Sequence, residues 1–220
     1  MPENTPNPLV DIDAWEAFCD ELKAAGQQII RPEAPIDDLS RAEGWRYLTR
    51  LTRIALDMFM ECSDRDFPSF YRPSHETAKI GADNPDNHYL ISGPRGTVAY
   101  LGFIAIAGGY EEADGNMRSV GAIDTHSGLE INADGTVDVI LSQTPKPGNW
   151  LKITEDTLAV LVRETYLDRS TEIFADLKIT RLDSANSKPA PLTGAKLKAD
   201  LANTAAFVKG TATLFADWAK

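Results

Sequence analysis

From Val98 to about position 182 the apolar residues recur at every second position, and this alternation confines the middle of the chain to sheets. Val98 to Ile106 is a nearly continuous apolar run rich in β-branched and aromatic residues, which predicts a strand covered on both faces. Leu158, Val160 and Val162 alternate with other residues, as do Ile173, Ala175, Leu177 and Ile179, so each set predicts a strand with one inward face. Asp134-Gly135 predicts a hairpin turn, because glycine admits positive φ, with Glu130–Asn132 and Val137–Leu141 as its arms. Strands joined by short turns, with no helices between them, pair antiparallel and close as a sandwich of jelly-roll type.

Both ends read as helix. Trp15, Phe18, Cys19, Leu22, Ala25 and Ile29 recur every three or four residues after Asp13, with Pro32 as the stop. A second helix is expected from Asp38 to Cys62, capped by Asp37 or Asp38, with Arg46, Arg50 and Arg53 on a solvated face. After the stiff Pro189 and Pro191, Thr193 can cap a last helix to Lys220. Phe207, Leu214 and Trp218 fall outside its main apolar stripe, so it is expected to be buried or to meet another chain. The fold class is therefore α+β. A helical layer spans 1–62 and an antiparallel sandwich 63–184, with a linker and C-terminal helix at 185–220 forming one compact unit with the rest.

Charge and composition exclude several function classes. The 33 acidic against 22 basic residues give a formal net charge of -11, which repels phosphate backbones and argues against a nucleic-acid partner. The longest apolar stretch, Val98–Ala107, is about half of what a membrane helix needs, so no membrane partner is expected. Met1 to Val10 is polar, with no basic or apolar leader region, and Cys19 and Cys62 read as reduced core thiols, which together predict a cytoplasmic protein.

The segment from Ser63 to Tyr89 keeps no period and is dense in polar and aromatic side chains, the composition of a functional loop. It holds Tyr71, Arg72, His75, Glu76, Lys79, Asp83, Asn84, Asp86, Asn87 and His88. His75, Glu76 and Asp86 are the catalytic candidates, since imidazole titrates near neutrality and a carboxylate can tune it. Tyr71, Arg72, Asn84, Asn87 and His88 are the ligand-binding candidates of the loop. His75 and His88 match no ligand spacing for a metal, and Asn84-Pro85-Asp86-Asn87 also reads as a plain turn, so neither metal nor cofactor is expected. Trp150, delivered by the Pro147-Gly148 turn, reads as a core plug or a pocket wall. Arg163 lies opposite in phase to Leu158, Val160 and Val162; if buried, it needs a carboxylate partner or an anionic ligand. There is no nucleophile elbow, phosphate loop or dinucleotide fingerprint.

Several stretches carry a resemblance. Arg41–Leu48, Phe70-Tyr71-Arg72-Pro73, Gly81–Asn87, Arg95-Gly96-Thr97-Val98 and Gly148-Asn149-Trp150-Leu151 followed by Arg163 occur in one order. This pattern resembles the N-terminal half of the bacterial proteins called domain of unknown function 1214 (DUF1214), related to DUF1254. The resemblance implies sandwich domains behind N-terminal helices and brings no catalytic residues. Members of that family are longer, with a second sandwich half after the equivalent of the Thr193 helix. They also hold an extra strand of roughly ten residues, an ordinary strand-plus-turn length, between the equivalents of Asn87–Leu90 and Ser92–Arg95. Its absence here leaves the sheet order open and predicts an unpaired edge, which with the underused helix predicts a homo-oligomer.

Two function classes remain at this point. One is an accessory sandwich that binds a small, partly apolar molecule or completes an oligomer. The other is a small-molecule enzyme, acid–base or metal-assisted, working through the 71–88 loop.

Overall fold

The structure, a computed structural model, describes residues 12–73, 75–82, 84–108, 117–183 and 188–218. The chain divides into two compact units, one of helices and one spanning Cys62–Pro189.

The helical unit holds α1 (Ile12–Gly26), α2 (Asp38–Leu56) and α3 (Gly194–Trp218). Asp37 caps α2 by accepting the Ser40 amide at 2.9 Å, and the Thr193 hydroxyl accepts the Lys196 amide at 3.1 Å at the start of α3. The regular part of α2 stops at Leu56 and continues as a π-helical turn, Asp57–Glu61. Regular α1 also ends before Pro32, at Gly26, where turns with i to i+3 bonds take over. The buried stripe of α1 is narrower than its apolar residues suggest. Phe18 and Ala25 are buried while Trp15 is 54% exposed. Cys19 lies a hundred-degree step off that stripe and is exposed, not a core thiol; Cys62 is half-buried, and both are free. Two small clusters hold the unit together, Ala25, Ala55, Phe59, Phe207 and Val208 in one, Phe18, Leu201 and Ala205 in the other.

The second unit is a sandwich of two four-stranded sheets. The strands, in chain order among the described residues, are β1 (Glu76–Lys79), β2 (Tyr89–Pro94), β3 (Tyr100–Ala107) and β4 (Arg118–Asp124). They continue with β5 (Thr136–Ser142), β6 (Trp150–Lys152), β7 (Thr157–Thr165) and β8 (Lys178–Arg181). One sheet runs β1-β7-β3-β4 and the other β6-β5-β2-β8. Pairing is antiparallel except for β6, which lies parallel to β5 with Ile140 opposite Trp150. Pro145 and Pro147 have no N–H to donate, so the chain between these two strands cannot continue a ladder. Leu101, Phe103 and Ala105 from one sheet meet Tyr89, Ile91, Val137, Val139 and Leu141 from the other in one fully buried core.

Three expectations are corrected. Glu130–Asn132 is not the first arm of the hairpin. The turn is present, with Gly135 at φ 83, but Glu130 is held by the Asn149 side chain, which accepts its amide at 2.7 Å and donates to its carbonyl at 2.8 Å. Residues 173–177 are not strand; β8 is confined to Lys178–Arg181, because the preceding amides bond elsewhere. The Tyr89–Pro94 region leaves no open edge, since β2 is central, paired with β5 on one side and β8 on the other.

Candidate functional site

The end of the inner face of the first sheet carries a charged and aromatic cluster. On β7 the inward phase runs Val160, Val162 and then Glu164, where the core gives way to carboxylate. In the β1–β7 register Glu76 lies opposite Val162, so it shares that face and that end. The Glu164 side chain is only 6% exposed and accepts three hydrogen bonds. Arg72 Nη2 donates to Oε2 at 3.1 Å, the Tyr166 hydroxyl donates to Oε2 at 2.8 Å, and the Ala175 amide donates to Oε1 at 2.8 Å. A carboxylate so held is compensated for its lost hydration.

Aromatic rings flank these charges. The Tyr166 and Phe174 rings meet edge to face at 4.9 Å, Arg72 lies over Phe174 at 5.4 Å, and Arg169 over Tyr166 at 5.0 Å. Burial, then the bond and charge of Glu164, push the Tyr166 hydroxyl up to about 12. Phe174 remains 48% exposed and Ile173 64% exposed, so the rim has an apolar lip.

Glu76 lies near the same charges. Burial raises its pKa, Arg72 opposes this, and the charges of Glu164 and Asp176 add to the rise. The linkage has a definite sign: a carboxyl whose folded pKa lies above its unfolded value destabilises the fold when ionised. Its cost is full at neutral pH and is relieved as pH falls through the folded pKa to the ordinary glutamate value. Glu76→Gln is therefore expected to stabilise the protein at pH 7–8 by less than about 1 kcal/mol after solvent screening. The gain should vanish below about pH 4, which denaturant titrations across that range would test; an equal gain at both ends would refute the charge explanation.

The remaining sequence candidates lie in other surroundings. His75 is half-buried, and burial, followed by the Arg163 charge, lowers its pKa. It thus answers to Arg163, while Glu76 answers to Arg72, Glu164 and Asp176. Arg163 is exposed on the outward phase of β7, opposite Gly102 on β3. Tyr71 is buried and bridges Thr77 through two 2.9 Å backbone bonds, sealing the edge of β1. Asp86 and Asn84 are exposed in a turn in which Asn84 Oδ1 accepts the Asp86 amide at 3.0 Å. Asn87 is buried, donates to the Gly81 carbonyl at 3.0 Å and accepts from Arg181. His88 gives its amide to Asp183 Oδ1 at 3.0 Å. Trp150 is half-buried with its indole N–H on the carbonyl and hydroxyl of Ser142, at 3.1 and 3.0 Å. Of the sequence candidates, only Arg72 and Glu76 come together at the carboxylate end. Asp83 lies outside the described residues, and among those described no three His, Cys, Asp or Glu side chains are arranged to hold a metal.

Comparison with known proteins finds a likeness to a solved structure. The crystal structure of an uncharacterised protein from Burkholderia cenocepacia shares this fold. The TM-score is 0.87 and the identity 46%, over 96% of this chain. This chain spans 61% of that one. No family model and no curated protein matches the chain.

Sequence reasoning missed Glu164, Tyr166, Phe174 and Asp176. One signal for them existed. Glu164 follows Leu158, Val160 and Val162 at the inward period, and a charge at a core position needs partners.

Among the described residues no helix is long and apolar enough to cross a membrane.

Proposed function

We propose that this protein is a ligand-binding sandwich, taking a small, partly apolar molecule at the rim formed by Arg72, Glu76, Glu164, Tyr166 and Phe174. The observation carrying this reading is the buried Glu164 carboxylate, which fixes Arg72, Tyr166 and the 175 amide beside a second carboxyl, Glu76, whose pKa burial raises. Phe174 and Ile173 supply the apolar lip, and Arg72 and Glu76 supply polar groups beside it. A cytoplasmic location, self-association and kinship with the DUF1214 proteins belong to the same proposal.

Thermal shift with a panel of small aromatic amines and aromatic carboxylic acids tests it. At least one compound should raise the wild-type Tm by a few degrees, a shift expected at roughly a hundredfold excess over Kd. Phe174→Ala and Arg72→Ala should abolish that shift. Compounds that stabilise wild type and both variants equally would place binding elsewhere and sink the reading.

The upward displacement of the Glu76 pKa favours one second reading, an acid–base enzyme in which Glu76 moves the proton. Under it, Glu76→Gln keeps ligand affinity while removing turnover; under pure binding there is no turnover to remove.

A further inference from the structure

Within the rim, the chain answers the charge of Glu164 and leaves that of Glu76 open. Arg72, Tyr166 and the Ala175 amide all bond to Glu164. The Glu76 carboxylate is half-buried and, among the described residues, accepts no hydrogen bond and closes no ion pair. The charges that reach it are Arg72, from the segment before β1, Glu164 on β7, and Asp176 between β7 and β8. With Glu76 itself that makes three carboxylates against one guanidinium, and the guanidinium is already committed to Glu164 at 3.1 Å. The surplus is negative. Burial strips an unpaired carboxylate of part of its hydration, and a cation placed beside it restores the lost stabilisation.

We propose that the rim selects a primary amine carried on an apolar group, with its ammonium on Glu76 and its apolar part on Phe174. This rests on the ligand-binding reading above and deepens it by naming the charge of the ligand. The two halves of the site share Arg72, which bonds to Glu164, lies over Phe174 at 5.4 Å and reaches Glu76 by its charge. Phe174 stays 48% exposed although Arg72 and the Tyr166 ring occupy parts of its surface. An exposed aromatic ring and an unpaired carboxylate suit an organic ammonium, since the ring meets the stem and the carboxylate takes the N–H donors. A carboxylic acid fits the same place poorly. It would have to draw Arg72 from Glu164, leaving that buried carboxylate one donor short, and would bring a further negative charge beside the three present. A metal ion fits no better, because among the described residues no three His, Cys, Asp or Glu side chains are arranged to hold one.

Phenethylamine, 2-phenylethanol and phenylacetate, probes of nearly equal size, separate the possibilities when each is titrated into the whole chain at neutral pH with backbone amides followed by NMR. Phenethylamine should shift amides of β1 and of residues 164–176 with a Kd of about 10 mM or tighter, the range open to so few atoms. 2-Phenylethanol should bind about tenfold more weakly, the loss of one charge-assisted bond, and phenylacetate more weakly again. Glu76→Gln keeps the shape, drops the charge and is expected to fold, since the fold does not pair that charge. In it the amine and the alcohol should bind within about threefold of each other. The alcohol or the acid binding the rim as tightly as the amine overturns the amine assignment and leaves the ligand-binding rim standing. An amine preference that survives Glu76→Gln has the same consequence. No shift at these amides with any probe, at several times the expected Kd, overturns the rim as a binding surface and this inference with it.

Discussion

Gly93→Ala is expected to destabilise the sandwich by about 2–4 kcal/mol, among the costliest single substitutions available outside the apolar core. Gly93 sits in β2 at φ +147, a region that side chains rarely adopt. A Cβ built there would lie 2.1 Å from the Asp176 carbonyl oxygen and 3.2 Å from Leu177 Cα. Neither side can yield cheaply, because β2 is held between β5 and β8 and the obstruction is backbone. Relief requires the 173–177 strap to move out. That movement would break the Asp176 amide bond to the Pro94 carbonyl, 2.9 Å, and draw the Ala175 amide away from Glu164. Urea denaturation followed by intrinsic fluorescence would measure the loss, with a fall in Tm on the order of 5–10 °C as the thermal counterpart. A variant that melts with wild type would mean the strap does not press on β2. The substitution also reaches the rim, since Glu164 loses one of its three donors without being touched itself.

The same strap marks where sequence reading stopped. Ile173, Ala175, Leu177 and Ile179 alternate as a strand should, and the burial of Leu177 and Ile179 obeys that period. What the period does not encode is the destination of the amides. Ile173 donates to the Thr97 hydroxyl, Ala175 to Glu164 and Asp176 to Pro94, so the ladder is replaced by bonds to a side chain, a buried carboxylate and a strand end. By contrast β3 and β7 were legible, β3 from a nearly continuous apolar run that is buried along most of its length and β7 from the alternation of Leu158, Val160 and Val162. The four-residue β1, Glu-Thr-Ala-Lys, has no apolar run to announce it; it is strand because Val160 and Val162 lie opposite Ala78 and Glu76.

The candidate site was half legible for a related reason. Composition singled out Arg72 and Glu76 inside a polar loop, but their partner Glu164 stands 92 residues from Arg72 in the chain. Only strand pairing joins them. Arg163 was read correctly as out of phase with the core and is exposed, whereas its neighbour Glu164, in phase and therefore buried, carries the interactions. Asn87 and Asn84 belonged to the same polar loop, yet Asn87 serves as a buried clamp and Asn84 as a turn residue. A list of polar types does not distinguish these roles; the register and the inward phase do.

Arg181→Met is expected to cost about 3 kcal/mol and to loosen the segment that leads into β2. Arg181, at the end of β8, has a side chain 16% exposed and bonds to Asp66, Asn87 and Asp183. Asp66 precedes β1 and Asn87 follows it, so one guanidinium ties the segments on both sides of that strand to β8. Methionine preserves the aliphatic volume and removes the charge, which leaves the buried Asn87 oxygen without the Arg181 donor and takes one cation from the partly buried Asp66 carboxylate. The consequence extends to Tyr89. Its hydroxyl accepts the Gly81 amide at 2.8 Å and donates to the Arg65 or Gly81 carbonyl, while Asn87 holds the same Gly81 carbonyl. These bonds share Gly81, so the loss of Asn87 orientation weakens the others. Hydrogen exchange read by mass spectrometry should show amides of 81–89 exchanging about a hundredfold faster, the equivalent of 3 kcal/mol of local opening. Amides of β3 and β7, whose bonds lie in the other sheet, should change far less. Uniform acceleration across both sheets would mean Arg181 supports the whole sandwich, and no acceleration at 81–89 would remove it from the network that positions the loop.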